Sequence, residues 1–164
     1  MGKLVHGVGV NDADYVLSKF EITGYINGKH KRKLVWICPF YRTWASMLKR
    51  CFCEKYKAER PTYEDVTCCK EWYLFSDFKS WMEQQDYKGK QLDKDIIFTN
   101  NKVYNPETCA FVSGVTNGFI TARDASRGDC LLGVHWDKGS RKFKAQCKNP
   151  FTKKRGTSGL FQLP

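Results

Sequence analysis

Apolar and polar positions alternate with different periods along this chain. Leu4 to Val10 is a short apolar run broken by glycine, which reads as a strand or extended arm. Phe20 to Ile26 and Lys33 to Ile37 flank Asn27-Gly28. An Asn-Gly pair between apolar runs predicts a β-hairpin. Its loop is expected to exceed two residues if Lys29-His30-Lys31-Arg32-Lys33 belongs to it. From Pro39 the period becomes helical. Proline suits a first helical turn, and Tyr41, Trp44, Met47, Leu48 and Cys51 recur on one face. Lys70 to Gln84 predicts a second helix, with Trp72, Phe75, Phe78, Trp81 and Met82 together. Two aromatic faces of this kind most simply pack on each other. Base stacking is the sharper alternative for such rings.

Leu92 to Phe98 reads as a strand with charges inside it. Asn100-Asn101-Lys102 and Tyr104-Asn105-Pro106-Glu107 have turn chemistry. Cys109 to Val112 is a second strand, and Ser113 can cap a helix running through Asn117 to about Ala122. Past Arg127-Gly128 alternation with period two takes over. Leu132 to Trp136, Phe143 to Cys147 and Gly159 to Leu163 predict three strands, with a basic loop over Asn149 to Ser158. Three strands without a covering helix are marginal alone. The sheet is expected to lean on the rest of the protein or on DNA.

Composition narrows the partner. Lys and Arg total 28 against 17 Asp and Glu, a net charge of +11 in 164 residues. Residues 120–164 hold ten bases and three acids. Such a balance favours a polyanionic ligand, because each neutralised phosphate releases counterions. Arg42, Lys49 and Arg50 fall mostly off the apolar stripe of the first helix and could face a phosphate backbone. No run approaches the ~18 apolar residues of a membrane span, so no membrane partner is expected. The first ten residues do not read as a secretory signal.

The eight cysteines are then expected to be free thiols in a reducing compartment. Cys51-Phe-Cys53 and Cys68-Cys69 lack the usual zinc-ligand spacing. A dispersed structural zinc site from Cys38, Cys51, Cys69 and Cys109 stays open beside the commoner reading of buried thiols as small hydrophobes.

Several stretches resemble phage HNH-endonuclease-like proteins. They are Cys38-Pro-Phe-Tyr41 … Trp44 … Met47-Leu-Lys-Arg50-Cys51, Cys69-Lys-Glu71-Trp72, and Leu92-Asp93-Lys94-Asp95 … Asn101-Lys-Val-Tyr104-Asn-Pro106-Glu-Thr-Cys109. The early Gly7-Val-Gly-Val-Asn11-Asp-Ala-Asp14-Tyr15 is similar to the same group. The tail, Gly133-Val134 … Lys142-Phe143-Lys-Ala145 … Gly159-Leu-Phe161, resembles the strands of ethylene-response-factor-type DNA-binding domains. In that domain a helix backs the sheet, and the tail is expected to lack that helix.

The resemblance implies a strand–loop–strand–helix unit holding one divalent metal, Mg²⁺ or Mn²⁺. There a His is general base on a water, and an Asp and a helix Asn or His bind the metal. Carried over, Asp93 takes the Asp position, Lys94 stands where the His belongs, and Asn117 matches the helix ligand. Asn101 or Asn105 would tether the loop. A lysine base would need a strongly depressed pKa. It could instead hold phosphate as a point charge. The plainer reading of Asp93-Lys94-Asp95 is a solvated turn. His30 and His135 lie outside the motif.

For the tail the resemblance implies a sheet in the DNA major groove, with Trp136, Arg141, Lys142 and Lys144 reaching bases and phosphates. Lys31, Arg32, Lys153, Lys154 and Arg155 are further expected DNA contacts by charge.

The expected fold is α+β: a ββα-metal (HNH-like) centre, two aromatic-rich helices and a C-terminal three-stranded antiparallel sheet. The expected division is an arm over 1–37, an HNH-like domain over 38–125 and the truncated sheet over 126–164. Two functions follow from the resemblance. One is metal-dependent nicking or cleavage of double-stranded DNA. The other is an inactive scaffold that binds DNA, or a host or phage protein, in regulation or counter-defence. A third reading, from the cysteines, is a zinc-stapled module that binds protein. The resemblance places the chain in the cytoplasm of an infected bacterial host.

Overall fold

The computed structural model describes residues 3–120, 130, 133–149, 152 and 154–161. It is a mixed α and β protein. The described residues form four α-helices and several small sheets, one of them three-stranded and antiparallel. The chain divides into two compact units, residues 1–112 and 113–164. No helix among the described residues is long and apolar enough to cross a membrane.

In the first unit, β1 (Ser18–Ile26) and β2 (Lys29–Ile37) form an antiparallel ribbon. The basic cluster lies inside β2, and the turn is only Asn27-Gly28. Both residues take positive φ, 49° and 73°, as a tight two-residue hairpin turn requires. That local geometry extends the strands to the turn and places the lysines on the ribbon rather than in a loop.

Helix α1 (Pro39–Phe52) buries Trp44, Met47, Leu48 and Cys51. Short helix α2 (Glu54–Glu59) follows it. Strand β3 (Thr67–Cys68) pairs in parallel with β5 (Val103–Tyr104), and β4 (Lys90–Asp93) pairs with β6 (Ala110–Ser113).

The helix expected over Lys70 to Gln84 is broken. A single 3₁₀ turn at Glu71–Tyr73 precedes α3 (Phe75–Glu83), and Leu74 between them is extended. The cause is the N-terminal arm. The Val10 amide donates to the Tyr73 carbonyl at 2.8 Å, and the Phe75 amide donates to the Val10 carbonyl at 3.1 Å. Two backbone bonds to a distant residue replace helical ones. The arm itself is a tight loop, closed by a bridge between Val5 and Gly9, rather than a strand.

The aromatic faces of α1 and α3 do pack together. The Phe75 ring lies 5.3 Å from Trp44 and 5.6 Å from Tyr41. Trp44 Nε1 donates to the Trp72 carbonyl at 2.7 Å, which satisfies a buried polar group. Gly9 lies against this pair. A Cβ there would come within 2.9 Å of the Trp44 ring and still closer to Leu48.

In the second unit, the Ser113 hydroxyl accepts from the Thr116 amide at 3.0 Å and caps α4 (Gly114–Ile120). Residues 121 and 122 lie outside the described residues. Strands β7 (Val134–Asp137), β8 (Lys142–Lys148) and β9 (Arg155–Phe161) make an antiparallel sheet in the order β7-β8-β9. The last strand begins at Arg155, opposite Lys148, so much of the expected basic loop is strand.

Candidate functional site

The segment between β4 and β6 is a hydrogen-bonded loop closed by one lysine. The strand expected to reach Phe98 stops at Asp93, because Asp93 Oδ1 accepts from the amides of Asp95 and Ile96, both at 2.8 Å. A carboxylate capping its own backbone in this way turns the chain. Lys94 is buried, at 7% exposure. Its Nζ donates to Asp95 Oδ1 and Oδ2, each at 2.7 Å, and to the Asn101 carbonyl at 2.5 Å.

Asn101 binds from the other side. Its Nδ2 reaches the carbonyls of Lys94 at 2.9 Å and Val103 at 2.7 Å, while its Oδ1 accepts from the Val103 amide. The Thr108 amide donates to Asn105 Oδ1 at 2.8 Å. The Thr108 hydroxyl lies within reach of that same oxygen and of the Val103 carbonyl.

This geometry limits what the loop can do. The Lys94 amine is engaged by the Asp95 carboxylate and the Asn101 carbonyl. Lys94 thus clamps the two sides of the loop together. Its charge is also spent on Asp95, so it offers little to a phosphate.

Asp93, named for Mg²⁺ or Mn²⁺, has one carboxylate oxygen engaged by its own turn. Both Asp95 oxygens face Lys94, and the buried ammonium next along the chain repels a cation. Asn117 lies on α4, in the second unit.

Among the described residues, no group of three or more His, Cys, Asp or Glu side chains is placed to hold a metal ion. Cys38 precedes α1, Cys51 lies near its end, Cys69 follows β3 and Cys109 precedes β6. All eight cysteines are free thiols. The Cys51 thiol meets Cys68, and that hydrogen bond together with burial pushes Cys68 well above the ordinary thiol range. Burial raises Cys69 to about 11 and Cys109 to about 12. Beside them Arg50 donates to the buried Tyr104 hydroxyl at 3.1 Å. Burial raises the Tyr104 phenol, and Arg50 opposes that rise.

Of the basic residues expected to contact DNA, Lys31 and Arg32 lie on the β1–β2 ribbon and Lys142, Lys144 and Arg155 on the tail sheet. In the tail sheet, Lys144 faces His135 and Lys142 faces Asp137 across β7 and β8, and Lys148 faces Arg155 across β8 and β9. Side chains alternate along a strand, so Lys142, Lys144 and Lys148 share one face with His135 and Arg155. Asp137, the acid on that face, is drawn into the turn. Its Oδ2 accepts from the Ser140 hydroxyl at 2.6 Å and the Ser140 amide at 3.0 Å, which holds its carboxyl below the usual range.

Trp136 pairs with Phe143 and lies on the opposite face, the rings 5.0 Å apart and edge-on. The register therefore separates Trp136 from Lys142 and Lys144. Arg141 sits in the turn with φ of 52°, Lys154 is exposed just before β9, and Arg155 is exposed at its start. Lys153 lies outside the described residues. In the first unit, Lys31 and Arg32 occupy opposite faces of β2, across from Gly24 and Ile22.

Sequence reasoning missed the clamp. Its signal was present in Asn101, Asn105 and Thr108, three side chains that bond readily to nearby backbone. Comparison with protein-family models, with curated proteins and with solved structures gives no match for this chain.

Proposed function

We propose that this chain is a double-stranded DNA-binding protein built on an HNH-like scaffold that holds DNA without cutting it. The observation that carries this reading is the basic face of the tail sheet: Lys142, Lys144 and Lys148 on alternate positions of β8, with His135 and Arg155 paired to them across a register shift between Ala145 and Gln146. Such a face suits a row of phosphates. A sheet of this size can also enter a major groove. The resemblance of the tail to ethylene-response-factor-type strands supports the same partner. Lys94 supports the absence of cleavage, because its amine is engaged by Asp95 and the Asn101 carbonyl where a general base is needed.

The test is supercoiled plasmid incubated with the protein and Mg²⁺ or Mn²⁺, beside a gel shift at rising salt. The expected result is a shift that weakens steeply with salt and no nicking above background. Metal-dependent nicking that disappears in Asp93→Ala would overturn the non-cutting reading and restore an endonuclease. Absence of any shift at 50 mM salt would overturn DNA binding itself.

A further inference from the structure

The β1–β2 ribbon is unusual in being exposed on both faces. Each strand has nine residues, and nearly all of them between the ribbon's ends face solvent. An isolated two-stranded ribbon is marginal in water. One face is apolar and aromatic: Phe20 opposite Leu34, and Ile22 opposite Arg32, with the Tyr25 ring 4.5 Å from His30.

The other face carries Lys29, Lys31 and Lys33. The pairing shifts register between Ile22 and Gly24, where the extra residue, Thr23, is on β1, so β2 keeps its alternation from 29 to 34 and these three lysines project to one side. Across from them stand Ile26, Gly24 and Glu21. One acid therefore meets the third lysine, and none meets the first two.

Three like charges in a row repel one another in the free protein. They gain only against a polyanion. Their geometry matches one. Alternate residues on a strand are about 6.6–6.8 Å apart. The phosphates of one DNA strand also form a continuous row of like charge, so a row of lysines can neutralise one phosphate each. Gly24, with no side chain opposite Lys31, leaves the middle of the row open to close approach.

We propose that the Lys29-Lys31-Lys33 face of the ribbon is a second contact for duplex DNA, following one phosphate backbone. It rests on the DNA-binding reading above and adds a site in the other unit of the chain.

The experiment measures the affinity of the full chain for a fluorescent 20-base-pair duplex by anisotropy, from 50 to 300 mM salt. Lys29→Ala/Lys31→Ala/Lys33→Ala is expected to make the salt slope shallower by about 2.7, near 0.9 for each lysine. The corresponding arginine triple keeps the charges and is expected to retain the slope. Circular dichroism checks that both variants stay folded. If the alanine triple does not fold, an unchanged slope in Lys31→Ala alone would overturn the proposal.

If the wild-type chain binds and tail substitutions weaken it, an unchanged slope in the ribbon triple overturns this proposal alone. A wild-type chain that binds no duplex overturns both. A ribbon triple that loses an acidic protein partner but keeps its slope on DNA also overturns the proposal, and assigns the face to protein.

Discussion

Lys94→Ala separates a structural clamp from a catalytic base. The substitution removes the ammonium that donates to Asp95 and to the Asn101 carbonyl. The pair with Asp95 is worth little, about 1 kcal/mol, because the Asp95 side chain is 47% exposed and well solvated. The Asn101 carbonyl matters more. A part-buried acceptor that loses a charged donor costs about 1–3 kcal/mol. Three methylenes of the stem also leave a buried position, at up to about 0.8 kcal/mol each. Against this, alanine recovers about 1.5–2 kcal/mol of side-chain entropy.

The net expectation is a loss of about 2–4 kcal/mol, or roughly 4–16 °C in Tm for a chain of this length. Urea unfolding followed by tryptophan fluorescence measures it, since Trp44 and Trp72 are buried in the same unit. Lys94→Met keeps most of the stem and should lose less than alanine. A Lys94→Ala midpoint within about 0.5 kcal/mol of wild type would refute the clamp, because surface changes fall in that range.

Gly9→Ala should destabilise by about 1–3 kcal/mol, since a methyl there meets the Trp44 ring and Leu48, and thermal unfolding reads the loss directly. Stability should fall as pH rises from about 9 towards 12. Cys69, raised to about 11, and Cys109, raised to about 12, stay protonated when folded, whereas unfolded thiols ionise near 9.0. The folded state then binds more protons, so alkali favours unfolding. Denaturant midpoints at pH 8, 9.5 and 11 check this, and a constant midpoint refutes it. Lys142→Ala/Lys144→Ala should make the DNA salt slope shallower by about 1.8. Its stability should stay within about 0.5 kcal/mol of wild type, which a parallel melt verifies.

The parts legible from sequence were those governed by local period. The stripe from Tyr41 to Cys51 needed only helical spacing, and its pairing with the Phe75 face followed from aromatic bulk. The break at Leu74 was not legible, because Val10, far away in sequence, takes the backbone groups that would have closed a helical turn. The length of β4 depended on one side chain. Asp93 ends its own strand by accepting two amides, which competes with any strand propensity in Ile96-Ile97-Phe98. Strand parity was readable within each tail strand, but not which residues of β7 and β8 share a face. The Asp137–Ser140 turn sets that register, and with it the separation of Trp136 from Lys142 and Lys144.

The clamp also bears on where DNA contact can reside. A lysine where the resemblance expects a base could serve as a point charge for phosphate, and sequence alone leaves that role open. Burial and the Asp95 pair argue against it, because a charge paired within the protein is less free to neutralise a phosphate. Lys94 should therefore govern stability and leave the salt slope untouched, whereas Lys142 and Lys144 should do the reverse. The two measurements divide the reading cleanly. A Lys94→Ala protein that is still folded in the cold, yet shows a shallower slope, would mean the ammonium leaves Asp95 to meet the phosphate. The loop would then be a DNA contact rather than a clamp.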